Sequence, residues 1–410
     1  MPSKPRPAMA FGEFVGFVAA CMALSAMSID IMLPALPLLH ADFKLADPNQ
    51  AQAVIAFFLV GTGFSQIFYG PLADRFGRKP ILIAGLTLFT LAGILTMAAN
   101  SFTTLLAARA LQGIGAGAPR VMAVSLVRDR FAGARMARVM SLAVMIFMIV
   151  PVLAPSLGQL VLMVTPNWHW VFGTLVAAGI ALLAWTVVRL SESLPLERRM
   201  PLTPRSVYSA YRQTLTTRRC AGYMLALSLI FGAHIGFIYS SQQIFVDVFD
   251  AGRSFPLLFA AIALTTGIAA FTNSKLVRRV GMRRIVVTGL AAIIVINLFH
   301  LGFSLAGYEN LLVFMLLQGA SVFTFGLLAS NLNALAMEPM GHIAGTASSV
   351  IGFVSTIGGA LIGLAIGLMF NGTVIPLVGA YIALALTSLA IAYHTEKPAQ
   401  AKKPAQPQNA

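Results

Sequence analysis

Twelve times along this chain, roughly twenty residues pass with almost no charge: about 11–33, 51–71, 80–99, 102–124, 139–162, 168–188, 221–246, 255–274, 285–306, 310–332, 343–369 and 374–393. A helix of about 20 residues, rising about 1.5 Å per residue, is what crosses the hydrocarbon core of a bilayer. Open sheets cannot satisfy their edges in lipid, and a barrel reads as short alternating segments. Long uninterrupted runs therefore predict an all-α polytopic membrane protein with twelve transmembrane helices. Only 10% of the residues are charged, against about 25% in soluble domains, which excludes two or three soluble domains of the same total length.

The net charge of +15 raises the question of a nucleic-acid partner, and its placement answers it. Lys4 and Arg6 precede the first span; Arg75, Arg78 and Lys79 follow the second; Arg128, Arg130, Arg135 and Arg138 follow the fourth. The central loop holds Arg189, Arg198, Arg199, Arg205, Arg212, Arg218 and Arg219. Lys275, Arg278, Arg279, Arg283 and Arg284 follow the eighth span, and Lys397, Lys402 and Lys403 the last. The opposite side has only Lys44 and Arg253, while Arg109 and Arg120 lie within the fourth span. This is the positive-inside pattern, which puts both termini in the cytoplasm of a cell with the chain in its inner membrane. Basicity here orients the chain and does not point to nucleic acid. A cleaved signal peptide fits poorly, since the first run exceeds a signal core of about 7–15 residues and its loss would invert every loop. Cys21 and Cys220 fall in or beside spans and imply no disulfide framework.

One long polar stretch, 189–220, divides the spans six and six. It predicts a bundle over 1–188, a cytoplasmic linker over 189–220, a second bundle over 221–394 and a disordered tail over 395–410, rich in Pro, Ala and Lys. The halves repeat. Aligning Gly77 with Gly281 brings Leu72 onto Leu276, Arg75 onto Arg279 and Lys79 onto Arg283; LQGIGAG (111–117) in the fourth span answers LQGASVF (317–323) in the tenth. Two such matches at nearly one offset indicate two pseudo-symmetric six-helix bundles, a secondary-transporter plan with its site between them.

GPLADRFGRKPIL (70–82) resembles the loop 2–3 signature of the major facilitator superfamily, with Gly70, Leu72, Asp74, Arg75, Gly77, Arg78 and Lys79 at its anchor positions. RALQGIGAG (109–117) is similar to the family's second motif, an intramembrane Arg before Gln-Gly. SIDIMLPALP (28–37) and GTASSVIGF (345–353) resemble the drug:proton antiporter branch of the bicyclomycin and chloramphenicol resistance type. In the fifth span, PVLAPSLGQ (151–159) departs from that branch's antiporter motif, with Ala154 for a glycine and Gln159 for another; in the second-half loop Arg278 stands where Asp74 does in the first. The resemblance implies a cytoplasmic gate formed by Gly70, Asp74, Arg75, Gly77, Arg78 and Asp129. Asp74 would meet the start of the eleventh span near Gly345 and Thr346, at a favourable helix terminus, and Arg78 would pair with Asp129. It also implies that the fifth span, where Pro151 and Pro155 permit bending, helps seal the halves; a plain kink is the alternative.

Buried charge is costly in lipid, so each intramembrane ionisable residue needs a reason. If the first span ends near 33, Asp30 lies about 5 Å below the surface and Arg109 about 10 Å, within reach of each other. The pair is read as the proton-coupling site: protonating Asp30 frees Arg109, and deprotonation restores the pair. The plain alternative is that both are structural. Glu13, at the inner end of the first span, is read as facing water. Gln112 joins the Arg109 network or bonds a neighbouring helix. Gly113, Gly115 and Gly117 are read as close helix packing, because no strand precedes them. His234, Tyr239, Gln242 and Asn331 are the polar candidates for a largely apolar substrate cavity, although lone polar residues often bond another helix.

These readings converge on a proton-coupled exporter of small lipophilic, drug-like molecules, acting as a monomer with no cofactor and no metal. The alternative is a proton-coupled transporter of one metabolite on the same fold. No two-His metal spacing, nucleophile elbow or paired intramembrane carboxylate points to an enzyme.

Overall fold

In the computed structural model, residues 9–199 and 204–396 are described. They form helices joined by short turns, and no strand occurs among them. Twelve helices or helix pairs are long and apolar enough to span a bilayer. The first half comprises α1 (Phe11–Asp30), α2 (Leu36–Asp42), α3 (Ala53–Phe76), α4 (Arg78–Met97), α5 (Phe102–Arg130), α6 (Gly133–Phe147), α7 (Val150–Val164) and α8 (His169–Arg189). The second comprises α10 (Arg218–Gln243), α11 (Phe255–Val280), α12 (Met282–Leu305), α13 (Leu311–Met337), α14 (Ala344–Leu368) and α15 (Ile375–Glu396), with α9 (Pro204–Thr216) between the halves. The expected tail, beyond Glu396, lies outside the described residues. The end of the bundle carrying the α3–α4 turn is called the basic end below, and the opposite one the far end.

Three boundaries differ from the sequence expectation, each for a local reason. The first span does not stop near 33. Pro34 tightens it into a 3-10 turn over Leu33–Ala35, and the helix then resumes as α2 to Asp42. Asp30 is thus about 18 Å from the end of that span at 1.5 Å per residue, not about 5 Å. The fifth span breaks at Met148–Ile149 into α6 and α7, directly before Pro151, whose ring cannot continue the preceding turn. The polar linker holds the amphipathic α9, whose Tyr211 hydroxyl donates to the Ile67 carbonyl of α3 at 2.9 Å.

The internal repeat appears as a repeated turn. Gly77 (φ +101°) ends α3 and Gly281 (φ +83°) ends α11, each followed at once by the next helix. Only glycine adopts that backbone freely.

Lipid removes most of the hydrophobic drive between helices, so packing relies on small residues that let backbones approach. The G-x-G-x-G of α5 does this on two sides. A Cβ at Gly113 would lie 2.0 Å from the Phe58 carbonyl oxygen of α3, and one at Gly115 would lie 2.4 Å from the Phe89 nitrogen of α4. Large apolar side chains such as Leu95, Met163, Leu257 and Leu312 point outward, as a lipid-facing surface requires.

Between the halves, α3 packs along α14, and α7 packs on α11. The hydrogen bonds that join the halves among the described residues lie at the far end and the middle. Gln52 donates to Gln243 at 2.5 Å, Gln243 to Asn49 at 2.7 Å, and Asn49 to the Phe370 carbonyl at 2.9 Å. Deeper, Gln66 donates to Thr356 at 3.2 Å.

Candidate functional site

Arg109 is fully buried on α5, and every direction of its guanidinium is occupied. Nε donates to the Val54 carbonyl at 3.1 Å, Nη1 to Gln112 Oε1 at 2.7 Å and Nη2 to the Ser28 carbonyl at 2.9 Å. The rings of Phe58 and Phe172 lie 4.4 and 5.3 Å from its Cζ, a cation–π setting that suits a weakly hydrated guanidinium.

Asp30, the last residue of α1, is only 4% exposed. Among the described residues its carboxyl group has neither an ion pair nor a hydrogen bond. The expected Asp30–Arg109 pair is therefore not made in this state. The reason is in the helix end. The last carbonyls of α1 lack intrahelical donors because the helix gives way after Asp30 to a turn and a 3-10 segment, and they carry the negative pole of the helix. Arg109 caps that pole at Ser28 and reaches α1 without needing Asp30 ionised. The two residues nevertheless share one neighbourhood, since Ser28 and Asp30 are two positions apart.

Helix α7 closes this neighbourhood. Its small face, Ala154, Pro155 and Gly158, is buried, and a Cβ at Gly158 would lie 2.2 Å from the Ile31 carbonyl oxygen. The proline-bent helix of the antiporter-like motif thus rests directly on the turn after Asp30.

At the basic end, the motif at 70–80 is tied together by Arg78. Nε meets Asp129 Oδ2 at 3.0 Å, as the resemblance implied, and Nη1 meets Asp74 Oδ1 at 2.7 Å. Asp74 therefore turns back to its own loop and does not meet Gly345 or Thr346 in this state. Gly70 faces α14, where a Cβ would approach Ser349 Oγ at 3.3 Å. Arg75 lies over the ring of Phe76 at 5.5 Å.

Sequence reasoning missed Glu192. Its carboxylate accepts from the backbone nitrogens of Arg78 at 2.9 Å and Lys79 at 3.2 Å, capping the start of α4 with an anion. Ser193 beside it donates to Asp129 at 2.9 Å, and Lys79 Nζ donates to the Val187 and Leu190 carbonyls. The one available signal was an acid three residues after the sixth span, in a linker whose seven arginines outnumber its two acids, Glu192 and Glu197. Glu13 likewise does not simply face water: Arg189 holds both its oxygens at 2.7 Å.

Of the proposed cavity residues, Gln112 belongs to the Arg109 network, with its Nε2 buried and unpaired among the described residues. Tyr239 is fully buried with an unpaired hydroxyl, and Gln242 is 7% exposed. His234 stacks on Phe325 with ring centres 4.0 Å apart. Asn331 instead clasps two helices, donating to Asn273 on α11 at 2.7 Å; its polar group is committed to packing.

The geometry is that of a two-half bundle with a buried acid and base near its middle and a charge-stitched turn at one end. Comparison with known proteins agrees. The chain is 32% identical over 364 residues to the multidrug resistance protein MdtL of Citrobacter koseri, covering 86% of this chain and 88% of that one. It is 28% identical over 364 residues to a bicyclomycin resistance protein homolog of Haemophilus influenzae, with the same coverage of each. Among solved structures it matches the xylose transporter XylE of E. coli with a TM-score of 0.74 at 12% identity, over 95% of this chain and 100% of that one, a likeness of fold. A model of the Major Facilitator Superfamily matches residues 18–363, and the chain belongs to that superfamily.

Proposed function

We propose that the chain is a proton-coupled exporter of small lipophilic compounds, an antiporter working by alternating access. In this reading it lies in the inner membrane as a monomer, with the basic end and both termini in the cytoplasm. The observation that carries the reading is Asp30: a carboxyl group buried in a membrane span, two residues from the carbonyl that holds Arg109. An ionised carboxyl without a cation is costly in apolar surroundings, and binding a proton removes that cost. A shift of α1 against α5 that frees Arg109 from the Ser28 carbonyl brings the cation to Asp30 and expels the proton. Substrate and proton thereby compete for one region of the bundle.

The surroundings support a lipophilic cargo: Phe58 and Phe172 flank Arg109, and Phe231 and Phe325 pack together beside His234 in the second half. The names of the relatives, multidrug and bicyclomycin resistance, favour drug export over transport of one metabolite. The test is drug susceptibility of cells with and without the chain, with and without a proton-collapsing agent, followed by drug-driven proton movement in proteoliposomes. Protection that survives collapse of the proton gradient overturns the coupling.

A further inference from the structure

The second half holds one buried acid–base contact that the transport reading does not use. His300 Nε2 on α12 stands 3.2 Å from Glu309 Oε1 in the α12–α13 loop, at the far end. The histidine side chain is fully buried and the glutamate side chain is 12% exposed. At this separation one proton must lie on the N···O axis, because a bare Nε2 and a carboxylate oxygen are both acceptors.

The polar seam continues inward. Asn297, three residues before His300, donates to Ser321 on α13 at 3.0 Å and to the Ile293 carbonyl at 2.9 Å. Gln318, three residues before Ser321, donates to the Tyr381 hydroxyl on α15 at 3.3 Å. These spacings put one polar stripe of α12 against one of α13. Four buried atoms of this seam have no hydrogen-bond partner among the described residues: Asn297 Oδ1, His300 Nδ1, Glu309 Oε2 and Gln318 Oε1. Asn297 Oδ1, Glu309 Oε2 and Gln318 Oε1 are acceptors, and so is Nδ1 while the proton sits on Nε2, whereas the neighbouring amide donors are engaged by Ile293, Ser321 and Tyr381. The seam is short of donors.

A second proton on the pair supplies one. It turns His300 into an imidazolium whose Nδ1–H is a new donor in a seam with unpaired acceptors, while Nε2–H faces a carboxylate that strengthens the contact. A metal ion fits less well, because among the described residues no group of three or more His, Cys, Asp or Glu side chains is gathered there. The titratable groups in the seam are Glu309 from the loop and Tyr381 from α15. From α13 the ring of Phe314 packs against His300, with Phe245 and Phe249 behind it. We propose that His300, Glu309 and the Asn297–Gln318 seam form a proton-binding site in the second half, distinct from Asp30 and loaded through Glu309 from the far end. It does not depend on what the chain exports.

The experiment is nitrogen-15 histidine NMR on the full chain in nanodiscs between about pH 5 and 8. His300 is assigned by the signal lost in His300→Gln. Should that variant fail to fold, a chain keeping only His300 among its histidines serves instead. The expected result is a His300 imidazole that starts with its proton on Nε2 and gains a second on acidification. In Glu309→Gln the fraction of His300 carrying two protons at the acidic end falls severalfold, because the carboxylate that stabilises the imidazolium is gone. An imidazole that keeps one protonation state over that range overturns the proposal, as does a titration identical in wild type and Glu309→Gln.

Discussion

Arg109 satisfies three acceptors with one planar group, and a lysine cannot. An ammonium at position 109 keeps the charge but lacks the fork that serves Val54, Ser28 and Gln112 together. Each buried acceptor left unpaired costs about 1–3 kcal/mol. Arg109→Lys is therefore expected to melt at a lower temperature and to transport poorly; thermal melting in detergent and proteoliposome uptake check both. Asp30→Asn separates chemistry from packing at the same place. The amide is nearly the same size and fits the buried position, but it cannot exchange a proton. Downhill movement of substrate should persist while proton-driven movement is lost, and full coupling in the variant removes Asp30 from the mechanism. The identities of both residues were legible in the sequence, because charges within apolar spans are few. Their relation was not. It depends on where α1 ends and on the carbonyls left free there, which are backbone properties of the folded helix end.

Helix α4 begins at a turn that only a glycine accepts easily, and its first amides are held by a carboxylate from the linker. Gly77 is at φ +101°, and a Cβ there would come 2.5 Å from Glu192 Oε2. The motif residues of this turn could be read in order along the chain, since glycines, charges and proline mark it locally. Their partner could not, because Glu192 lies more than a hundred residues downstream and nothing in its neighbours advertises the contact. The same limit hid α9, whose residues look like any polar linker until Tyr211 is seen against Ile67. Removing the cap tests its weight. Glu192→Ala should speed amide exchange at Arg78 and Lys79 by about tenfold, the effect of roughly 1.4 kcal/mol of lost local stability. Exchange unchanged from wild type means the carboxylate only decorates the turn. Glu192→Gln, which keeps an acceptor, should fall between the two.

Across the whole molecule, the twelve spans and their division six and six followed from hydropathy and charge alone, since lipid permits so few alternatives. How the halves meet did not follow, because the contacts are single polar residues on otherwise apolar helices. Asn49, Gln52 and Gln243 join them at the far end through bonds of 2.5 to 2.9 Å, while at the basic end Gly345 faces open space. A molecule that exchanges two arrangements must break one set of contacts to make the other, and the population of each follows their difference in free energy. Gln243→Ala deletes two of the far-end bonds. At about 1 kcal/mol each, their loss shifts the balance toward a far-open arrangement by tenfold or more. Spin labels at Gln50→Cys and Asn371→Cys, both exposed on either side of that seam, report it as a longer distance gaining population. The native Cys21 and Cys220 are buried, so labelling there adds little background. A distance distribution that does not change in Gln243→Ala means that the seal rests on helix packing of α3 with α14 and of α7 with α11, and that these polar bonds follow the closure without setting it.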